Sequence, residues 1–163
     1  MRRSALVVLA VVLLLVAGAC ASGSTRSAPQ IANASFMRLD GTTSSLASYA
    51  GSPVLVNFFA STCQPCLKEM PALEQVKQEA AGKVRFVGID VGDTVEATRS
   101  FVDAVGVTWD IGRDPDASVA EKLGATALPT TFVLDAGGTI VYQHLGALDV
   151  EQLRSELRSR GLL

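Results

Sequence analysis

The 163 residues suffice for one ordinary domain, and a 48% hydrophobic fraction inflated by the N-terminus overstates the apolar content of that domain. Two of the 14 basic residues, Arg2 and Arg3, precede the apolar start; without them 12 face 16 acidic residues, a net charge of −4. A mildly acidic chain excludes a nucleic-acid binder held by a basic surface, and three cysteines are too few for a disulfide framework.

Met1-Arg2-Arg3 and the unbroken run of Ala, Val and Leu from Ala5 to Ala17 have the charged and apolar regions of a secretory signal. The run falls short of the about 20 residues a transmembrane helix needs. Ala17-Gly18-Ala19-Cys20 resembles a bacterial lipobox, in which small residues precede a cysteine that is lipidated and becomes the mature N-terminus, although Ala17 stands where Leu is commoner. Residues 1–19 are therefore expected to be removed and Cys20 to anchor the protein to the outer face of the cytoplasmic membrane. The alternative is an ordinary signal peptide, a stray thiol at Cys20 and a secreted protein. Residues 20–33, rich in Ser, Ala, Gly and Thr, have the composition of a flexible linker, which places the domain at 34–163.

The domain opens with Ser35 to Leu39 and the turn signal Asp40-Gly41, which predict a short edge strand or hairpin. Leu46 to Tyr49 predicts a helical turn ending at Gly51. Val54 to Phe59 is a nearly continuous apolar run, the mark of a strand buried on both faces. Beyond it, Leu67, Met70, Leu73, Val76 and Ala80 recur at helical spacing, with a kink expected at Pro71. Val84 to Ile89 reads as a second buried strand, Thr94 to Val105 as a helix capped by Thr94 or Asp93, and Val107 to Ile111 as a short strand holding Trp109. Asp116 to Leu123 predicts a helix ended by Gly124. Leu128 to Leu134, the turn Asp135 to Gly138 and Thr139 to Gln143 predict a hairpin, and Asp149 to Arg160 an amphipathic closing helix. The fold class is α/β, a mixed sheet with helices on both faces.

Between the buried strand and its helix stands Cys63-Gln64-Pro65-Cys66. With Cys20 assigned to lipid, these two cysteines are the remaining pair, and a bridge across two residues constrains too little chain to be there for stability. Thiol-disulfide exchange needs a thiolate, which the amides and dipole of a helix N-terminus favour. Cys63 is therefore the candidate nucleophile, and Cys66, one turn into the helix and more buried, the candidate resolving thiol. Pro65 suits a first helical turn. Glu69, three residues after Cys66, is either a partly buried carboxylate whose proton is coupled to the thiols or a solvated helix residue. Asn57 is expected to be a hydrogen-bonded core group, Trp109 a core residue, and His144 a surface residue without a role. A zinc half-site fails for want of ligands, His144 lying far off in sequence.

From about Ala34 to Leu163 these residues resemble the thioredoxin-fold thiol-disulfide oxidoreductases of the TlpA/ResA type. The resemblance rests on Val54 to Phe59, Ala60-Ser61, the Cys63 and Cys66 pair, Glu69 and Pro71, and Leu128-Pro129-Thr130-Thr131-Phe132. It implies a thioredoxin fold, a cis Pro129 lying against the disulfide, an acidic site residue at Glu69, and no metal or dissociable cofactor. Two positions depart from related patterns. Thr62 replaces a Trp common before the first cysteine, and Asn57 replaces the buried Asp of thioredoxins proper. The resemblance implies a monomeric reductant of extracytoplasmic protein disulfides, as in cytochrome c maturation, supplied by a membrane thiol-disulfide electron carrier. Alternatives are a disulfide-forming oxidase of secreted proteins, a peroxiredoxin-like peroxidase, for which no Pro-x-x-x-Thr-x-x-Cys pattern is present, and a non-catalytic binding lipoprotein.

Overall fold

The structure, a computed structural model, describes residue 31 and residues 33–163; the expected export signal, Cys20 and most of the expected linker lie outside the described residues. In chain order the elements are β1 (Ser35–Arg38), β2 (Thr43–Ser45), a 3-10 turn (Leu46–Tyr49), β3 (Val54–Phe59), α1 (Gln64–Ala80), β4 (Arg85–Val91), α2 (Val95–Val105), β5 (Asp110–Asp114), α3 (Ser118–Leu123), β6 (Thr130–Leu134), β7 (Ile140–Leu145) and α4 (Val150–Ser159). The strands make one sheet in the order β2-β1-β5-β4-β3-β6-β7. β3, β4 and β5 run parallel, as their helical crossovers require, and the hairpins at either edge add antiparallel strands.

Alternation along β3 sorts the core into two layers. Val54, Val56 and Phe58 pack with the 3-10 turn and with Val119 and Leu123 of α3. Leu55 and Phe59 pack on the opposite face with Met70, Leu73 and Val76 of α1, Phe101 of α2, and Leu153 and Leu157 of α4. All six residues of β3 are buried, as the apolar run predicts. At about 1.5–3 kcal/mol for each large apolar side chain fully buried, this strand anchors both layers. Its carboxyl end therefore holds whatever follows it in a fixed place. Ile31 is buried beside Leu46 and Tyr49, so apolar packing begins ahead of the first hairpin.

Three expectations are corrected. The strand expected at Val107 to Ile111 is shifted: β5 starts at Asp110, and Trp109 lies just before it, buried against Phe86. The Glu74 carboxylate of α1 takes the Thr108 amide at 2.8 Å and the Thr108 hydroxyl at 2.9 Å, which removes that backbone from the sheet. Leu67, expected on the inward face of its helix, is exposed, whereas its neighbour Cys66 is the residue of that turn that faces the core. The final strand reaches Leu145 rather than stopping at Gln143, since Thr131 pairs with His144 and Thr130 with Leu145.

Close packing of the edge hairpin supplies a stability prediction. A Cβ at Gly112 of β5 would overlap the ring of Phe36, which is buried and cannot swing aside. Gly112→Ala is expected to cost about 1–3 kcal/mol, read as a lower urea midpoint. An unchanged midpoint would show that the hairpin gives way freely.

Candidate active site

The chain leaves β3 at Phe59 and enters α1 at Gln64, so Cys63 occupies the N-cap at the carboxyl end of the parallel strands. Its Sγ accepts the Cys66 amide at 3.2 Å, and its carbonyl oxygen accepts the Leu67 amide at 3.2 Å. An amide pointed at sulfur, together with the positive end of the helix dipole, favours a thiolate there. Pro65 sits in the first turn, where its missing N–H leaves no hole. Cys63 and Cys66 form a disulfide with Cα atoms 5.3 Å apart. Cys66 is fully buried and Cys63 only partly so, which leaves the latter as the sulfur a partner can reach. Thr62, Gln64 and Pro65 around it are exposed or partly exposed and carry no large ring.

Glu69, one turn beyond Cys66, is buried, which removes the solvated reading. Its Oε1 accepts from Asn57 Nδ2 at 3.0 Å, and its Oε2 accepts the Leu148 amide at 2.8 Å. Asn57 Nδ2 also donates to Thr131 Oγ1 at 3.0 Å, so one amide ties α1 to β3 and β6. Asn57 is therefore a hydrogen-bonded core group, as expected, although its Oδ1 is left without a partner. Burial pushes the Glu69 carboxyl above its ordinary pKa; the Leu148 amide, the Asn57 amide and His144 pull it back only in part. A buried carboxyl with a raised pKa thus lies one helical turn from Cys66.

Pro129 is buried, and the Leu128–Pro129 peptide is cis, as the resemblance implied. β6 pairs Thr130 with Phe58, which brings Pro129 alongside Phe59 at the sheet end that launches the cysteine loop. The Pro129 carbonyl oxygen accepts the Gly146 amide at 2.8 Å, which joins this segment to the loop ahead of α4. Trp109 is a core residue. His144 is on β7, paired with Thr131, with Nε2 3.1 Å from the Ala147 oxygen.

Sequence reasoning missed the other flank. Asp90 ends the apolar stretch of β4 beside Phe59, fully buried, and Asp93 follows on the turn to α2. Asp93 Oδ2 accepts the Ser61 amide at 2.5 Å, two residues ahead of Cys63. The available signal was an Asp inside a run otherwise fit for a buried strand.

Comparison with known proteins agrees with this geometry. Residues 25–143 match the AhpC/TSA family. The thioredoxin-like protein YneN of Bacillus subtilis is 32% identical over 76% of this chain and 74% of its own length. The thiol-disulfide oxidoreductase ResA of Bacillus thuringiensis is 31% identical over 74% of this chain and 70% of its own. Among solved structures, DsbF of Mycobacterium tuberculosis superposes with a TM-score of 0.72 at 29% identity, covering 82% of this chain and 97% of that one. A secreted Mycobacterium tuberculosis disulfide oxidoreductase homologous to DsbE shares the fold at a TM-score of 0.73 and 24% identity, over 82% of this chain and 99% of that one. A partly exposed sulfur capping a helix, its partner buried one turn on, the family match over residues 25–143 and solved structures that share the fold together place this chain in the AhpC/TSA family as a thioredoxin-fold thiol-disulfide oxidoreductase.

Proposed function

We propose that the protein reduces disulfides of extracytoplasmic proteins, such as the haem-binding cysteines of apocytochrome c, and is itself reduced by a membrane thiol-disulfide carrier. In the reduced protein the Cys63 thiolate attacks a substrate disulfide, forming a mixed disulfide and releasing one substrate thiolate. Cys66 then gives its proton to the Glu69 carboxylate and attacks Cys63 Sγ. The second substrate sulfur leaves as a thiolate, two electrons have passed to the substrate, and the Cys63–Cys66 disulfide is restored. Pro129 walls the sheet end on which the substrate segment rests. The protein acts as a monomer held at the membrane by a lipid on Cys20, or is secreted if Cys20 is unmodified.

The observation that carries the direction is the set of carboxyls at this end of the sheet, Glu69 on one flank and Asp90 with Asp93 on the other, each of which adds negative charge when it ionises. Strongly oxidising pairs owe their potential to a stabilised reduced form. An ionised carboxyl beside the pair opposes a thiolate and so favours the disulfide. The reduction potential, measured by equilibrating the full-length chain with dithiothreitol buffers, is expected near about −250 mV or lower. A value near about −120 mV would make the protein a disulfide donor instead. AhpC/TSA membership brings a peroxidase reading with it; consumption of hydrogen peroxide without a thiol substrate would favour that reading.

A further inference from the structure

Two carboxyls that give and take no proton in this reaction meet beside the cysteine loop. Asp90 is wholly buried, and its Oδ1 accepts the Asp93 amide at 3.2 Å. Its Oδ2 is buried without a hydrogen-bond partner, and the Asp93 carboxyl is its side-chain neighbour. Asp93 in turn accepts the Ser61 amide. Charged groups reach this spot from few directions. Arg113 of β5 spends its guanidinium on the Asp93 carbonyl oxygen, and Asp114 of β5 spends its carboxylate on the Val119 and Ala120 amides of α3. α2 contributes the buried Thr98, which pulls the Asp90 pKa down only slightly because its hydroxyl donates to the Thr94 carbonyl oxygen at 2.9 Å, while Glu96 is exposed; from the loop after β3 the nearest titratable group in sequence is Cys63.

A buried carboxyl oxygen with no donor to accept from is where a proton resides. Burial, and after it Asp93, pushes the Asp90 pKa up to about 7. We propose that Asp90 is a positioning residue for Cys63: protonated on Oδ2, it donates to the Asp93 carboxylate, which holds the Ser61 amide and with it the loop presenting the sulfur. When that proton leaves Asp90, its carboxylate faces the Asp93 carboxylate, the hold on Ser61 weakens, and negative charge accumulates beside the sulfur under attack. The proposal rests on the reading of Cys63 as the reacting cysteine.

The oxidised full-length chain tests it cleanly, because the bridged cysteines carry no proton. The carboxyl carbon of Asp90 and the amide of Ser61, followed by NMR from about pH 5 to 9, are expected to share one midpoint near pH 7, also in Glu69→Gln. An Asp90 carbon that titrates in the ordinary carboxylate range, or a Ser61 amide that does not respond, would overturn the proposal. Asp90→Asn keeps a donor toward Asp93 but cannot ionise. The ratio of wild-type to Asp90→Asn rates of disulfide reduction by dithiothreitol cancels the ionisation of the reagent. It is expected to fall about threefold from the acid to the alkaline end, and a constant ratio would count against the latch. The carboxyl titration does not depend on which cysteine reacts, so failure of the latch and failure of the Cys63 assignment are read separately.

Discussion

Cys63→Ser is expected to abolish insulin-disulfide reduction, a loss of at least roughly 10³-fold, while leaving stability almost unchanged. The loss follows from ionisation: a serine hydroxyl at the same N-cap holds its proton at neutral pH, and exchange requires an anionic sulfur. Cys63 is the partly exposed sulfur, with the Cys66 amide aimed at it, whereas Cys66 is sealed under the helix. Stability should survive because the bridge spans a sequence separation of 3 and closes almost no loop in the unfolded chain. Serine is itself a good N-cap. Insulin turbidity and a urea melt on the same preparation read the two halves. If Cys63→Ser still complemented a deletion of the gene, the cysteines would be bystanders and the protein a binding lipoprotein.

Glu69→Gln is expected to slow resolution of the mixed disulfide by about 10²-fold near neutral pH and to flatten its pH dependence, since an amide takes no proton from Cys66. The same group leaves a signature in stability, whose sign follows from the raised pKa. The folded state keeps a proton on Glu69 above the ordinary glutamate value, where the unfolded chain has lost it. Stability therefore falls as pH rises from that ordinary value to the raised one, and the penalty is constant beyond. Glutamine has no such term, so across that window the melting temperature of the variant should fall less than that of wild type. Parallel curves together with an unchanged rate profile would remove Glu69 from the mechanism and leave it a structural tie between α1, Asn57 and Leu148.

What could be read from the chain alone was local. β3, the start of α1 and the cysteine pair follow from an apolar run and a helical period adjacent in sequence, and the cap Thr94 stands next to the helix it serves. β5 was misplaced because Val107, Thr108 and Trp109 look like strand residues, and nothing near them reveals that Glu74, 34 positions earlier, takes the Thr108 amide. Whether Glu69 is buried or solvated is settled by the Leu148 amide, 79 residues away. The Asp93 bond to Ser61 spans 32 residues and could not be anticipated from periodicity. The carboxyl chemistry of the site is thus a product of tertiary packing, whereas the sulfur chemistry is written in one short stretch.

The most direct test of Cys63 as the attacking sulfur is capture of the mixed disulfide. Full-length Cys66→Ser, reduced and then mixed with a disulfide-bonded protein substrate, cannot complete the exchange, and mass spectrometry of the product should place the substrate sulfur on Cys63. An adduct forming as fast on Cys66 in the Cys63→Ser protein, or no adduct in either variant, would contradict the proposed chemistry.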